Sequence, residues 1–74
     1  MDYKNLSFMV EGELCDILEV IPINGVNYVT FTNYDLDESE EFLKYYGRVD
    51  KKNDEYLLTV INDEETIKMI NEKK

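Results

Sequence analysis

The chain has 74 residues, 43% hydrophobic and 34% charged, with 17 acidic against 8 basic side chains and a net charge of −9. A chain of this length forms one small domain that buries about 60% of the surface it exposes when unfolded, which excludes a dinucleotide-binding Rossmann domain or a barrel enzyme. So few cations also disfavour direct nucleic-acid binding, and docking on an anionic membrane for the same reason.

In chain order, Leu6–Val10 reads as a short strand closed by a turn at Glu11–Gly12. Glu13–Ile23 follows as a longer strand rich in Ile, Leu and Val. Asn24–Gly25 is the strongest local signal, because Asn-Gly between apolar runs favours a two-residue type I′ hairpin turn in which both residues take φ > 0. Val26–Asn33 returns with the β-formers Tyr28, Val29, Thr30, Phe31 and Thr32. That turn sets a register pairing Ile23 with Val26, Pro22 with Asn27, Ile21 with Tyr28, Val20 with Val29 and Leu18 with Phe31. One face is then expected to carry Leu14, Leu18, Val20, Val29 and Phe31, and the other Ile17, Ile21, Ile23, Val26 and Tyr28. Pro22 marks that end of its strand as a sheet edge, since it has no N–H for a second neighbour.

Tyr34–Glu41 reads as a polar loop, Phe42–Val49 as a third long strand, Asp50–Asp54 as a turn and Glu55–Ile61 as the last strand. Asn62 followed by Glu65 predicts a helix N-cap with reciprocal capping. Asp63, Glu64 and Glu65 then lie in the first turn and Lys73 and Lys74 at the end, as the helix dipole favours. Ile67, Ile70 and Met69 supply the apolar stripe of this helix. The expected fold is α+β: an antiparallel meander of four or five strands with one C-terminal helix. A helix of about ten residues is about 15 Å long and covers part of one sheet face only. The second face is therefore expected either to curl on itself or to be covered by another chain.

The charge is unevenly placed. Residues 1–43 hold ten acids and a single base, Lys4, whereas residues 44–74 hold seven of each. The acidic half suits a negative patch, built on Glu11, Glu13, Asp16, Glu19, Asp35, Asp37, Glu38, Glu40 and Glu41, that steers a basic partner by charge complementarity. A solvated surface that keeps the chain soluble is the plainer reading of the same residues. Tyr28, Phe42 and Tyr46 are expected on the less well covered face, where aromatic side chains suit an interface.

Catalysis lacks its usual parts. With no histidine, Ser-His and Cys-His pairs and His-based metal sites are missing, and three scattered glycines build no phosphate cradle. Paired carboxylates for acid–base work need a cleft, which a sheet this thin is not expected to form. The stretch Asp35-Leu-Asp37-Glu-Ser39-Glu-Glu41 alternates oxygen ligands. It places Glu40 and Tyr46 where a calcium loop needs Gly and Glu, so no dedicated metal site is expected. Cys15 has no partner for a disulfide and no neighbouring cation to activate it, and reads as a reduced strand residue. The opening residues MDYKNLSFMV carry no long apolar run, which predicts neither a signal peptide nor a membrane span, and a cytoplasmic location.

From Gly12 to Asn71 the chain resembles the YrzB-like family of small acidic bacterial proteins, a domain family of unknown function. The likeness lies in the GELCDILEVIPINGVNYVTFTN hairpin with its Gly25-Val-Asn-Tyr28-Val29 step and in the acidic DLDESEE loop. The strand from Tyr45 to Val49, the YLLTVI strand and an acidic-capped helix complete it. The resemblance implies a cytosolic bacterial or phage-borne protein and carries over no catalytic residues or cofactor. The function expected from residues and resemblance together is non-enzymatic: binding of a basic protein surface, as an accessory subunit or a nucleic-acid-mimicking inhibitor. The alternatives are a homodimer through the sheet and a weak cation binder using loop 35–41.

Overall fold

The structure is a computed structural model and describes residues 6–73; Asp2, Lys4 and Lys74, which enter the charge pattern above, lie outside the described residues. Five strands, β1 (Ser7–Val10), β2 (Glu13–Ile23), β3 (Val26–Thr32), β4 (Tyr45–Lys52) and β5 (Glu55–Ile61), precede one helix, α1 (Glu64–Lys73). The strands form one antiparallel sheet in the order β1-β2-β3-β4-β5, so every neighbour in sequence is a neighbour in space.

The tight turns explain the meander. Asn24 and Gly25 have φ of 49° and 80°, Glu11 and Gly12 50° and 82°, and Asn53 and Asp54 51° and 66°. Two successive left-handed residues give a turn whose twist matches that of the flanking strands. The register expected from Asn24–Gly25 holds from Ile23↔Val26 through Val20↔Val29. It then slips: Ile17, not Leu18, lies opposite Phe31, because a bulge between Ile17 and Glu19 adds a residue to β2. The slip moves Cys15 and Ile17 onto the face of Val29 and Phe31, and it leaves Leu14 and Leu18 exposed rather than interior.

Two cores result, one on each face. Cys15, Ile17, Val29, Phe31 and Val49 form the first, with Phe8 and Val10 of β1 and Tyr56 and Leu58 of β5 packed against it. Residues from both outer strands reach one cluster because the sheet curls towards a barrel. This curl, rather than another chain, buries Val29 to 0% and Phe31 to 2% exposure. Phe31 also stacks on Tyr45, with ring centres 5.6 Å apart. Gly47 makes the curl sterically feasible, since a Cβ there would sit 2.8 Å from Leu58 Cδ1, 2.9 Å from the Thr59 carbonyl oxygen and 3.0 Å from Phe31 Cε1. The second core joins Ile21 and Ile23 to Ile70 of α1, with Tyr28, Tyr46, Ile61 and Met69 around them.

Beyond one-residue shifts that start β1 at Ser7 and end β3 at Thr32, three element boundaries differ from the sequence reading. Chain 42–44 does not start the long strand, because Phe42 forms an isolated bridge with Leu36 and β4 begins at Tyr45. At its other end β4 runs on to Lys52, leaving only Asn53 and Asp54 in the turn. The helix cap is Asp63, not Asn62: its Oδ2 accepts from the Thr66 backbone N–H at 3.0 Å and from the Thr66 hydroxyl. Those two hydrogen bonds hold the Asp63 carboxyl below its ordinary pKa. No helix among the described residues is long and apolar enough to cross a membrane.

Candidate functional site

The antiparallel pairing sorts the connections between two ends of the sheet. The Glu11–Gly12 turn, the 33–44 loop and the step from β5 into α1 lie at one end; the Asn24–Gly25 and Asn53–Asp54 turns lie at the other. Glu11, Glu13, Asp35, Asp37, Glu38, Glu40 and Glu41 therefore gather at the first end, joined by Asp63, Glu64 and Glu65 at the start of α1. The second end is mixed, with Asp50, Asp54 and Glu55 beside Lys51 and Lys52.

Side-chain hydrogen bonds tie the acidic end together. Asn33 Nδ2 donates to Glu13 Oε2 and, at 3.0 Å, to Asp35 Oδ2, so one amide bridges two carboxylates. Asp16 accepts from the Ser7 and Tyr34 hydroxyls. These bonds, Ser7 first, hold the Asp16 carboxyl below its ordinary pKa, and the same carboxylate pushes the Tyr34 hydroxyl up. The loop beyond is a small hairpin: Asp37 Oδ1 accepts from the backbone N–H of Ser39 at 2.8 Å and of Glu41 at 3.0 Å. The Asp37 N–H in turn donates to the Glu41 carbonyl at 2.8 Å. Asp37 is thus occupied as a turn-former. Among the described residues no group of three or more His, Cys, Asp or Glu is placed to hold a metal ion.

Of the nine acids expected to form a patch, Glu19 departs. It lies on β2 beyond the bulge with its carboxylate 3.8 Å from Lys44 Nζ, in an ion pair that offsets its charge. The aromatic trio is divided too. Tyr28 and Tyr46 pack half-buried around the helix core, where the Tyr46 hydroxyl donates to Asn71 Oδ1 at 3.0 Å. Phe42 instead stands in the acidic loop, 55% exposed, with its ring edge-on to Tyr34 at 5.3 Å. Sequence reading missed its companions. Tyr34 and Leu36, 50% and 56% exposed, join Phe42 in an apolar cluster within the acidic loop. The available signal was the placing of Tyr34, Leu36 and Phe42 on either side of a turn-forming Asp37.

The curl also makes a cleft where none was expected. Val10, Glu11, Glu13, Cys15, Phe31, Asn33, Tyr45, Val60 and Asn62 line a cavity of about 300 Å³. Its lining draws on all five strands at the acidic end, so it is the mouth of the curled sheet. Burial pushes the Cys15 thiol above its ordinary pKa, and the negative charges of Glu13 and Asp16 add to the shift. No family model matches the chain, and no curated protein or solved structure matches it either.

Proposed function

We propose that this is a non-enzymatic interaction protein whose acidic end binds a basic surface on another protein. The supporting observation is that Glu11, Glu13, Asp16, Asp35, Asp37, Glu38, Glu40 and Glu41 share one end of the sheet with an exposed apolar cluster of Tyr34, Leu36 and Phe42. An apolar centre with a charged rim is the usual anatomy of a protein interface. Here the rim is acidic apart from Lys44, which pairs with Glu19, and this speeds encounter with a cationic partner and disfavours acidic ones. Basic surfaces are common on nucleic-acid-handling proteins, so an accessory subunit or a nucleic-acid-mimicking inhibitor, acting in the cytoplasm, is the concrete form of the proposal. Kinship with the YrzB-like proteins belongs to the same proposal and rests on the shared order of hairpin, acidic loop, strands and capped helix.

The test is affinity capture from the native host at low and at high ionic strength. A basic protein retained at low salt and released at high salt is the expected result, because exposed charges separated by more than about 10 Å are screened at 0.1 M salt. A partner held equally at both ionic strengths, or one with an acidic contact surface, would contradict it.

A further inference from the structure

The cavity at the mouth of the sheet has a division of chemistry that the acidic end as a whole does not. Its most buried lining is apolar, with Cys15 and Phe31 only 3% and 2% exposed and Val10 and Tyr45 half-buried, while Val60 is exposed and Asn33 and Asn62 add polar lining. Glu11 and Glu13 are exposed and stand at the opening. A cationic head pushed to the inner wall would leave both water and these carboxylates, a costly placement for a charge. An apolar group inside with cations outside satisfies both zones. At about 300 Å³ the cavity lies at the small end of the range for ligand sites, a size suited to one large side chain rather than an extended ligand.

We propose that this cavity receives a single large apolar side chain, aromatic or aliphatic, from a partner segment whose flanking residues are lysine or arginine. The inference rests on the reading of the acidic end as a basic-protein contact and names the partner's recognition element: an apolar anchor between cations. The anchor fills the space between Val10, Phe31, Tyr45 and Val60 while its neighbours meet Glu11 and Glu13. A buried anchor ringed by weaker polar contacts is how interfaces concentrate their binding energy.

Two synthetic peptides, Lys-Arg-Phe-Arg-Lys and Lys-Arg-Ser-Arg-Lys, titrated into the whole chain test this. The phenylalanine peptide is expected to bind about tenfold or more tightly than the serine peptide, the gain from burying one aromatic side chain. It should also shift the methyl resonances of Val10 and Val60, which the serine peptide leaves in place. In Val60→Trp, whose indole occupies the cavity, the preference should vanish. In the Glu11→Gln/Glu13→Gln double variant both peptides should weaken equally and the preference should persist. Equal, salt-sensitive binding of the two peptides to the wild-type chain overturns the anchor while leaving the charge reading intact. Persistence of the preference in a folded Val60→Trp variant also overturns it, and failure of both peptides to bind overturns the two readings together.

Discussion

The two ends of the sheet both reverse the chain through two-residue turns, Glu11–Gly12 at the acidic end among them, but differ in what else they carry. At one end Asn24–Gly25 and Asn53–Asp54 do so in two residues each, with left-handed φ at all four positions. At the other end the chain takes 33–44 to pass from β3 to β4, and spends those residues on carboxylates and three exposed apolar side chains. A two-residue turn holds register and offers little surface. The longer excursion does little for register, because the Phe31↔Tyr45 and Thr30↔Tyr46 pairs already align the strands. It is free to carry contact chemistry, and loops on a rigid scaffold commonly do. The sheet therefore has a constructional end and, under the proposed function, a contact end.

The largest expected effect is at Gly47, which packs beside Phe31 of the cavity wall. Gly47→Ala places a methyl group against Leu58, the Thr59 carbonyl and the Phe31 ring, so the sheet must flatten or Phe31 must move. Overpacking of this kind costs about 1–3 kcal/mol, which urea unfolding of the variant would register. An unchanged midpoint would mean that the curl is less tightly closed than described, and the contrast between the ends would lose its steric basis.

A smaller effect concerns how the acidic loop is fastened to β2. Asp16 has its pKa lowered in the folded chain, so its hydrogen bonds stabilise above about pH 4 and that contribution is lost as pH falls further. Tyr34 has its pKa raised, so its contribution is present below about pH 10 and is lost as pH rises through the folded value. Tyr34→Phe removes the bond they share. It should flatten the pH dependence of thermal stability at the alkaline extreme and reduce it in part at the acid extreme, where Ser7 still holds Asp16, while leaving the neutral-pH fold intact. A profile identical to wild type would show that the loop is not held through this bond.

Much of the fold was legible because its signals are local. Asn24–Gly25 names its own turn type, and alternation around it gives the pairs from Ile23↔Val26 to Val20↔Val29. Legibility ends at the bulge, since an added residue such as Leu18 has no composition of its own and reverses every side chain before it. Lys51 and Lys52 read as turn residues by composition, yet pairing with Tyr56 and Glu55 draws them into β4. Asn62 and Asp63 are both good caps, and the choice falls to Asp63 because Thr66 stands three residues on to donate to it. The acids of the site were visible as a run, but their gathering at one end depends on which turns share that end. The cavity was not visible at all, because it arises only when residues from five strands close around one opening.

Three carboxylates can be neutralised at either end without touching the core: Glu11→Gln, Glu13→Gln and Asp35→Asn at the contact end, or Asp50→Asn, Asp54→Asn and Glu55→Gln at the constructional end. Affinity for the captured basic partner, followed from low to high salt, compares the two variants directly. The contact-end variant is expected to lose on the order of tenfold in affinity and to show a shallower salt dependence, from rim charges worth roughly 0.2–1 kcal/mol each, with the other variant close to wild type. Equal losses from the two variants would mean that net charge alone drives binding and that the acidic end is not the contact surface.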